Sequence, residues 1–261
     1  MADLGGVALV LLDLDGTVYE GTRPVAGADA AIGRLRRAGL AVRFVTNTDS
    51  VPPAALVQRL AGMGVEAAAG EVLTPVALAA RLLGERSGAR VLAVAAPAVR
   101  ALLAGTLAGP GERPTHVLVC DPSFGACYDD LDRAFRAVRD GAELVATQVA
   151  RIARRDDGEH LDTGGFVRLL EYAAGVEARV LGKPSPEFFR LALDAAGMPA
   201  GRALMVGDDL DSDVRGALAV GMRAVLVRTG KGAEPSGDAE GGGPDAVVAS
   251  IADLPDLIGV R

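Results

Sequence analysis

The chain has 261 residues, half of them hydrophobic, a mean hydropathy of +0.29 and a formal net charge of −7. That length and apolar content support one large or two modest cored domains. The acidic balance argues against nonspecific nucleic-acid binding, which needs a basic face. The two cysteines, Cys120 and Cys127, match neither a disulfide framework nor paired zinc-site spacing, and read as ordinary packing or loop residues.

Strand and helix patterns alternate from end to end, which predicts an α/β fold. The first apolar run, Val7 to Leu12, reads as a buried strand and stops at Asp13-Leu14-Asp15-Gly16-Thr17. It is too short for a signal peptide or a membrane span and has no basic leader, so a soluble, cytoplasmic chain is expected, with no membrane partner. A helical pattern from Ala26 to Ala38 ends at Gly39. The strand Ala41 to Val45 leads directly into Thr46-Asn47-Thr48, and a helix is expected from about Pro52 to Met63.

From about Thr74 a second α/β series begins. Helix Pro75–Leu83, strand Arg90–Ala95 and helix Pro97–Leu103 are followed by strand His116–Cys120, helix Asp129–Arg139, strand Glu143–Ala146 and helix Gly165–Ala174. Arg179-Val180-Leu181 is read as the return to the first unit. Helix Pro186–Ala196 follows, with Ser185 as N-cap and proline at its first position. Strand Ala203–Val206, helix Asp213–Val220 and strand Ala224–Val227 complete the pattern, and 232–244 reads as a mobile surface loop. The expected organisation is a Rossmann-like parallel-sheet core, residues 1–70 and 179–261, with an α/β domain inserted at 71–178. Clefts between domains are favoured places for small-ligand sites.

The second acidic cluster, Gly207-Asp208-Asp209 with Asp213 beyond, also follows a buried-strand run. Parallel strands deliver such residues to one carboxyl edge of a sheet. Crowded carboxylates repel and lose hydration there, and a hard cation such as Mg²⁺ relieves both while recruiting a phosphate. Asp13 and Asp15 suit a nucleophile and an acid/base pair, since a second carboxyl can protonate a departing oxygen and then activate water. Asp-Gly strings are also routine in turns and caps.

Thr46 and Asn47 can donate to phosphate oxygens, although both types are common at strand ends. Lysine is scarce: Lys183 and Lys231 are the only two, among 27 cationic side chains. A compact ammonium in an arginine background suggests a site that a planar fork would not suit. Lys183, bracketed by Gly182 and Pro184, fits that description; Lys231 carries no such context. Asp209 and Asp213 are four apart, the spacing of one helical face, and would support a cation held by Asp208. N-capping by Asp211 is the alternative for that string. A phosphate monoester at about −2, with Asp13 and Asp208, is balanced by Mg²⁺ and Lys183. One uncompensated pair at ~4 Å costs about 4 kcal/mol at an effective dielectric near 20.

In this order the four segments resemble the motifs of the haloacid dehalogenase superfamily. The resemblance implies Asp13 as nucleophile, Asp15 as general acid/base, and Thr46 and Lys183 on the phosphate. Asp208 would bind Mg²⁺ together with Asp13 and the Asp15 backbone carbonyl, and Asp213 would support it. The family's phosphatases carry the second Asp; its dehalogenases need no acid there. The insertion after Thr46 resembles a type-II cap, as in the 4-nitrophenyl and nucleotide phosphatase subgroup. Asp140 to Tyr172, with Ala150-Arg151 and Phe166 to Glu171, is similar to the phospholysine phosphohistidine inorganic pyrophosphate phosphatases.

The chain departs from those relatives at Ala126-Cys127-Tyr128 and Asp162-Thr163-Gly164-Gly165. The resemblance implies hydrolysis of a small phosphorylated metabolite, an aspartyl phosphate, and a homodimer through the cap. A phospho-aspartate signalling module and a non-catalytic interaction protein on the same fold are the competing readings.

Overall fold

The computed structural model describes residues 4–155, 157–233 and 242–260. Most of the stretch expected to be a mobile loop, 234–241, lies outside the described residues. The chain forms two compact units. The first comprises Met1–Thr46, Leu56–Leu73 and Lys183–Arg261, the second Asn47–Ala55 and Thr74–Gly182.

The first unit is built on a six-stranded parallel sheet. Its spatial order is Ala246–Val248, Arg223–Val227, Ala203–Gly207, Leu9–Asp13, Ala41–Val45 and Val72–Leu73. Leu9–Asp13 is central and buried at every position, which is why its sequence shows no alternation: a strand covered on both faces is apolar throughout. Helix Ala28–Arg37 buries Ala28, Ala31, Ile32 and Leu35, one stripe at helical spacing.

Helix Pro186–Ala196 buries Phe188 and Phe189, whose rings meet edge to face at 6.1 Å. Ser185 is its N-cap residue, as expected, but makes no side-chain capping hydrogen bond. Pro186 occupies the first turn, where an N–H would lack a partner in any case. Short elements of this unit were not foreseen, among them the hairpin Tyr19–Glu20/Arg23–Pro24 and the edge strands Val72–Leu73 and Ala246–Val248. Two or three residues cannot display a period.

The second unit has its own parallel sheet, ordered Arg179–Val180, Glu143–Ala146, His116–Val119, Val91–Val94. Helices Tyr128–Arg139 and Thr163–Ala174 cover it through Ala134, Val138, Val167 and Leu170. An antiparallel hairpin, Ile152–Arg155 with Gly158–Leu161, is added. Arg179–Val180 pairs with Val145–Ala146, so this strand belongs to the second sheet and not to the first, as the sequence had suggested. A two-residue strand carries no local mark of the sheet it joins.

The segment 47–55 also packs in the second unit. The buried Asp49 anchors it there, Oδ2 accepting from Thr147 Oγ1 at 2.5 Å and Thr163 Oγ1 at 3.0 Å. Among the described residues no helix is long and apolar enough to cross a membrane.

Candidate active site

Three strands of the first sheet end in polar side chains at one edge. Asp13 closes the central strand, Asp208 directly follows Ala203–Gly207, and Thr46 directly follows Ala41–Val45. The parallel registers Leu12↔Val206 and Asp13↔Val45 put all three at the carboxyl ends. All are buried, and the Thr46 amide is tied to Leu73 O at 3.2 Å.

Lys183 enters this edge from the start of the last segment of the unit. Its Nζ lies 2.5 Å from Asp13 Oδ1 and 2.6 Å from Asp213 Oδ1, with the side chain only 3 % exposed. Asp13, Asp208 and Asp213 each present an oxygen within 4.8 Å of the others. Fully ionised, three carboxylates against one ammonium leave a net charge of −2 in a buried space.

The electrostatic consequence is visible in the acids. Burial, then Asp13 and Asp213, push Asp208 up to about 8. Burial pushes Asp213 up to about 7 against the pull of Lys183, and raises Asp13 as well. Burial alone would lower Lys183, but the two carboxylates on it prevail and raise it. A compact set of hard oxygen donors carrying excess negative charge fits a hard divalent cation.

Glycines make the crowding sterically feasible. Gly16 has φ +86°, and a β-carbon there would lie 2.2 Å from Asp208 Oδ2. A β-carbon at Gly207 would lie 2.1 Å from Asp213 Oδ2. Asp213 therefore stands inside the cluster, where the sequence reading had it supporting from outside. Asp209 is turned elsewhere. Its Oδ1 accepts from the amides of Asp211 (3.0 Å) and Ser212 (2.9 Å), and its Oδ2 from Lys231 Nζ at 2.8 Å.

Asp209, not Asp211, is thus the N-cap, and the helix begins at Leu210 with a π-helical turn to Arg215, three residues before the expected start. Burial works against the Asp209 charge, yet the Lys231 ammonium and these amides hold its carboxyl below the usual range.

Known proteins resemble the chain over most of its length. A family model described as haloacid dehalogenase-like hydrolase matches residues 10–106, and a HAD-hydrolase-like model matches 180–254. The phospholysine phosphohistidine inorganic pyrophosphate phosphatase of Rattus norvegicus is 39 % identical over 87 % of this chain and 85 % of that protein. The chain belongs to the haloacid dehalogenase-like hydrolases. It is a phosphatase of that family, a phosphoric monoester hydrolase.

The human haloacid dehalogenase-like hydrolase domain-containing protein 2 is 38 % identical over 88 % of both chains. Among solved structures, a 4-nitrophenylphosphatase from Thermotoga maritima superposes with a TM-score of 0.90 at 25 % identity, covering 99 % of this chain and 100 % of the other. A glycerol phosphate phosphatase from Mycobacterium tuberculosis, solved in complex with magnesium, gives 0.86 at 31 % identity, covering 97 % and 78 %. The same enzyme has been solved with calcium.

Asp15, also expected at the site of this hydrolase, is not one of the three clustered acids but is close enough to Asp13 to oppose its ionisation. Asp15 is exposed, its Oδ1 accepting from the Gly21 amide at 3.2 Å. Asn47 is the first residue of the second unit and packs against Gly182, where a β-carbon would come within 2.6 Å of its Oδ1. Sequence reasoning missed Lys231, whose amide donates to Asp208 Oδ2 at 2.7 Å. Lysine scarcity was the available signal: both lysines of the chain contact acids of this edge.

Proposed function

We propose that this phosphatase hydrolyses small phosphorylated metabolites with Mg²⁺, through an aspartyl phosphate on Asp13. The observation that carries the reading is the buried contact of Lys183 with Asp13 and Asp213 beside Asp208. An Asp13 oxygen attacks phosphorus, the ester P–O bond breaks, and Asp15 protonates the departing oxygen. Asp15 then takes a proton from water, which attacks the phosphoaspartate; inorganic phosphate leaves and the Asp13 carboxylate is restored.

Thr46, Asn47 and Lys183 are assigned to the phosphoryl oxygens. The cation, held by Asp208, Asp13 and the Asp15 backbone carbonyl, would neutralise charge between nucleophile and phosphate. Asp209 and Asp213 orient this set, Asp213 by sharing Lys183 with Asp13 and Asp209 by capping the adjoining helix. Stabilisation of charge dominates in chemistry of this kind. The second unit is assigned as the cap that selects the leaving group and excludes water. The printed names of the relatives include phospholysine, phosphohistidine, pyrophosphate, glycerol phosphate and 4-nitrophenyl phosphate, which supports a small phosphoryl donor with a variable leaving group.

The test is hydrolysis of 4-nitrophenyl phosphate by the purified chain. Turnover should need Mg²⁺, stop with chelator, and fall at least about a thousand-fold in Asp13→Asn. Activity that survives either treatment removes the reading.

A further inference from the structure

Lys231 is the lysine that the mechanism leaves unused. It lies on a short segment after strand Arg223–Val227 that makes four polar contacts with the site loops. Thr229 Oγ1 donates to Gly16 O, and the Gly230 amide to Glu20 Oε1 at 2.9 Å. The Lys231 amide donates to Asp208 Oδ2 at 2.7 Å, and Lys231 Nζ to Asp209 Oδ2 at 2.8 Å. Gly230, at φ +54°, lies so close that a β-carbon there would be 2.2 Å from Asp208 Oδ2 and 2.6 Å from Gly16 Cα.

We propose that Thr229–Lys231 is a positioning latch for the cation site, with the Lys231–Asp209 contact as its fastening. The inference rests on the cation-dependent reading above. Asp208 Oδ2 accepts from the Lys231 amide, and its carboxylate lies close against Gly16 and Gly230, so these neighbours set how it is presented to the cation. The amide stays in place because its own side chain is tied to Asp209, which is in turn fixed to the start of the next helix through Asp211 N and Ser212 N. The Thr229 hydroxyl secures the other end of the segment to the Asp15–Gly16 turn. Lys231 is therefore a positioning residue, acting through Asp208. Outer contacts of this kind orient metal ligands and tune affinity.

Removing the Lys231 charge has two opposed consequences. A cation nearby would be repelled less and bind more tightly. A loosened latch would let Asp208 turn away, and the cation would bind more weakly. An ordinary half-exposed surface pair would change neither, because such pairs contribute little. The latch requires the second outcome.

The experiment is calorimetric titration of the full chain with Mg²⁺, comparing wild type with Lys231→Met. The expected result is a dissociation constant about ten-fold weaker in the variant, with a parallel rise in the Mg²⁺ concentration giving half-maximal hydrolysis of 4-nitrophenyl phosphate. Equal or tighter binding overturns the latch. Thr229→Val, which removes only the hydroxyl tie, should weaken binding in the same direction; wild-type affinity in that variant also counts against it.

A double-mutant cycle checks the fastening: Lys231→Met combined with Asp209→Asn should be no weaker than the weaker single variant. Fully additive losses overturn the pairing. If wild type binds no Mg²⁺, the cation reading itself falls. If wild type binds and Lys231→Met binds equally, the latch alone falls.

Discussion

The Gly16 backbone lies against the Asp208 carboxylate so closely that a β-carbon on residue 16 would fall 2.2 Å from Oδ2, at a φ of +86°. Two independent constraints therefore require glycine: a left-handed backbone and the absence of a side chain. Gly16→Ala should cost about 1–2 kcal/mol in backbone strain and displace Asp208. Mg²⁺ affinity, read by calorimetry, should fall more than the modest loss in thermal stability would suggest. Wild-type affinity in this variant would show that the carboxylate relaxes without consequence.

Cation binding should release protons. Asp208 and Asp213, pushed up to about 8 and about 7, share their titration with Asp13, so the cluster keeps bound hydrogen at neutral pH as one coupled system. A cation requires the ionised carboxylates. Near pH 7 binding should displace about one proton, and affinity should tighten as pH rises from 6 to 8.5. Calorimetry in buffers of different ionisation enthalpy measures this directly. A binding enthalpy that is the same in every buffer contradicts it.

Asp49 should impose a separate pH dependence on stability. It is 4 % exposed, and burial, with Asp162 and Asp121 nearby, pushes its carboxyl up to about 7 against the hydroxyls of Thr147 and Thr163. In the unfolded chain it ionises near 3.8. Between these values the folded state holds the extra proton, so the contribution is present below about pH 4 and lost as pH rises through 7. The full loss is of order 4 kcal/mol. Asp49→Asn should gain stability relative to wild type on going from pH 5 to pH 8. Urea midpoints in saturating Mg²⁺, which silences the other cluster, give the comparison; an unchanged difference between the two pH values would refute the assignment.

The chemistry-bearing turns were legible because their signals are local. Asp13 and Asp208 each end an uninterrupted apolar run, and a strand buried on both faces has no other appearance. Gly16 follows directly, and Lys183 stands out in a chain that otherwise uses arginine. These features established the α/β class, the family resemblance and the carboxylate edge.

The remainder depended on partners far apart in the chain. Arg179 joins the second sheet through Val145, and Asp49 reaches its unit through Thr163, 114 positions away. Asp213 enters the cluster by way of Lys183, and Lys231 by way of Asp208 and Asp209. Side-chain chemistry and periodicity are written along the chain; which strand pairs with which, and which ammonium finds which carboxylate, is decided only when the fold closes and burial makes each unpaired group costly.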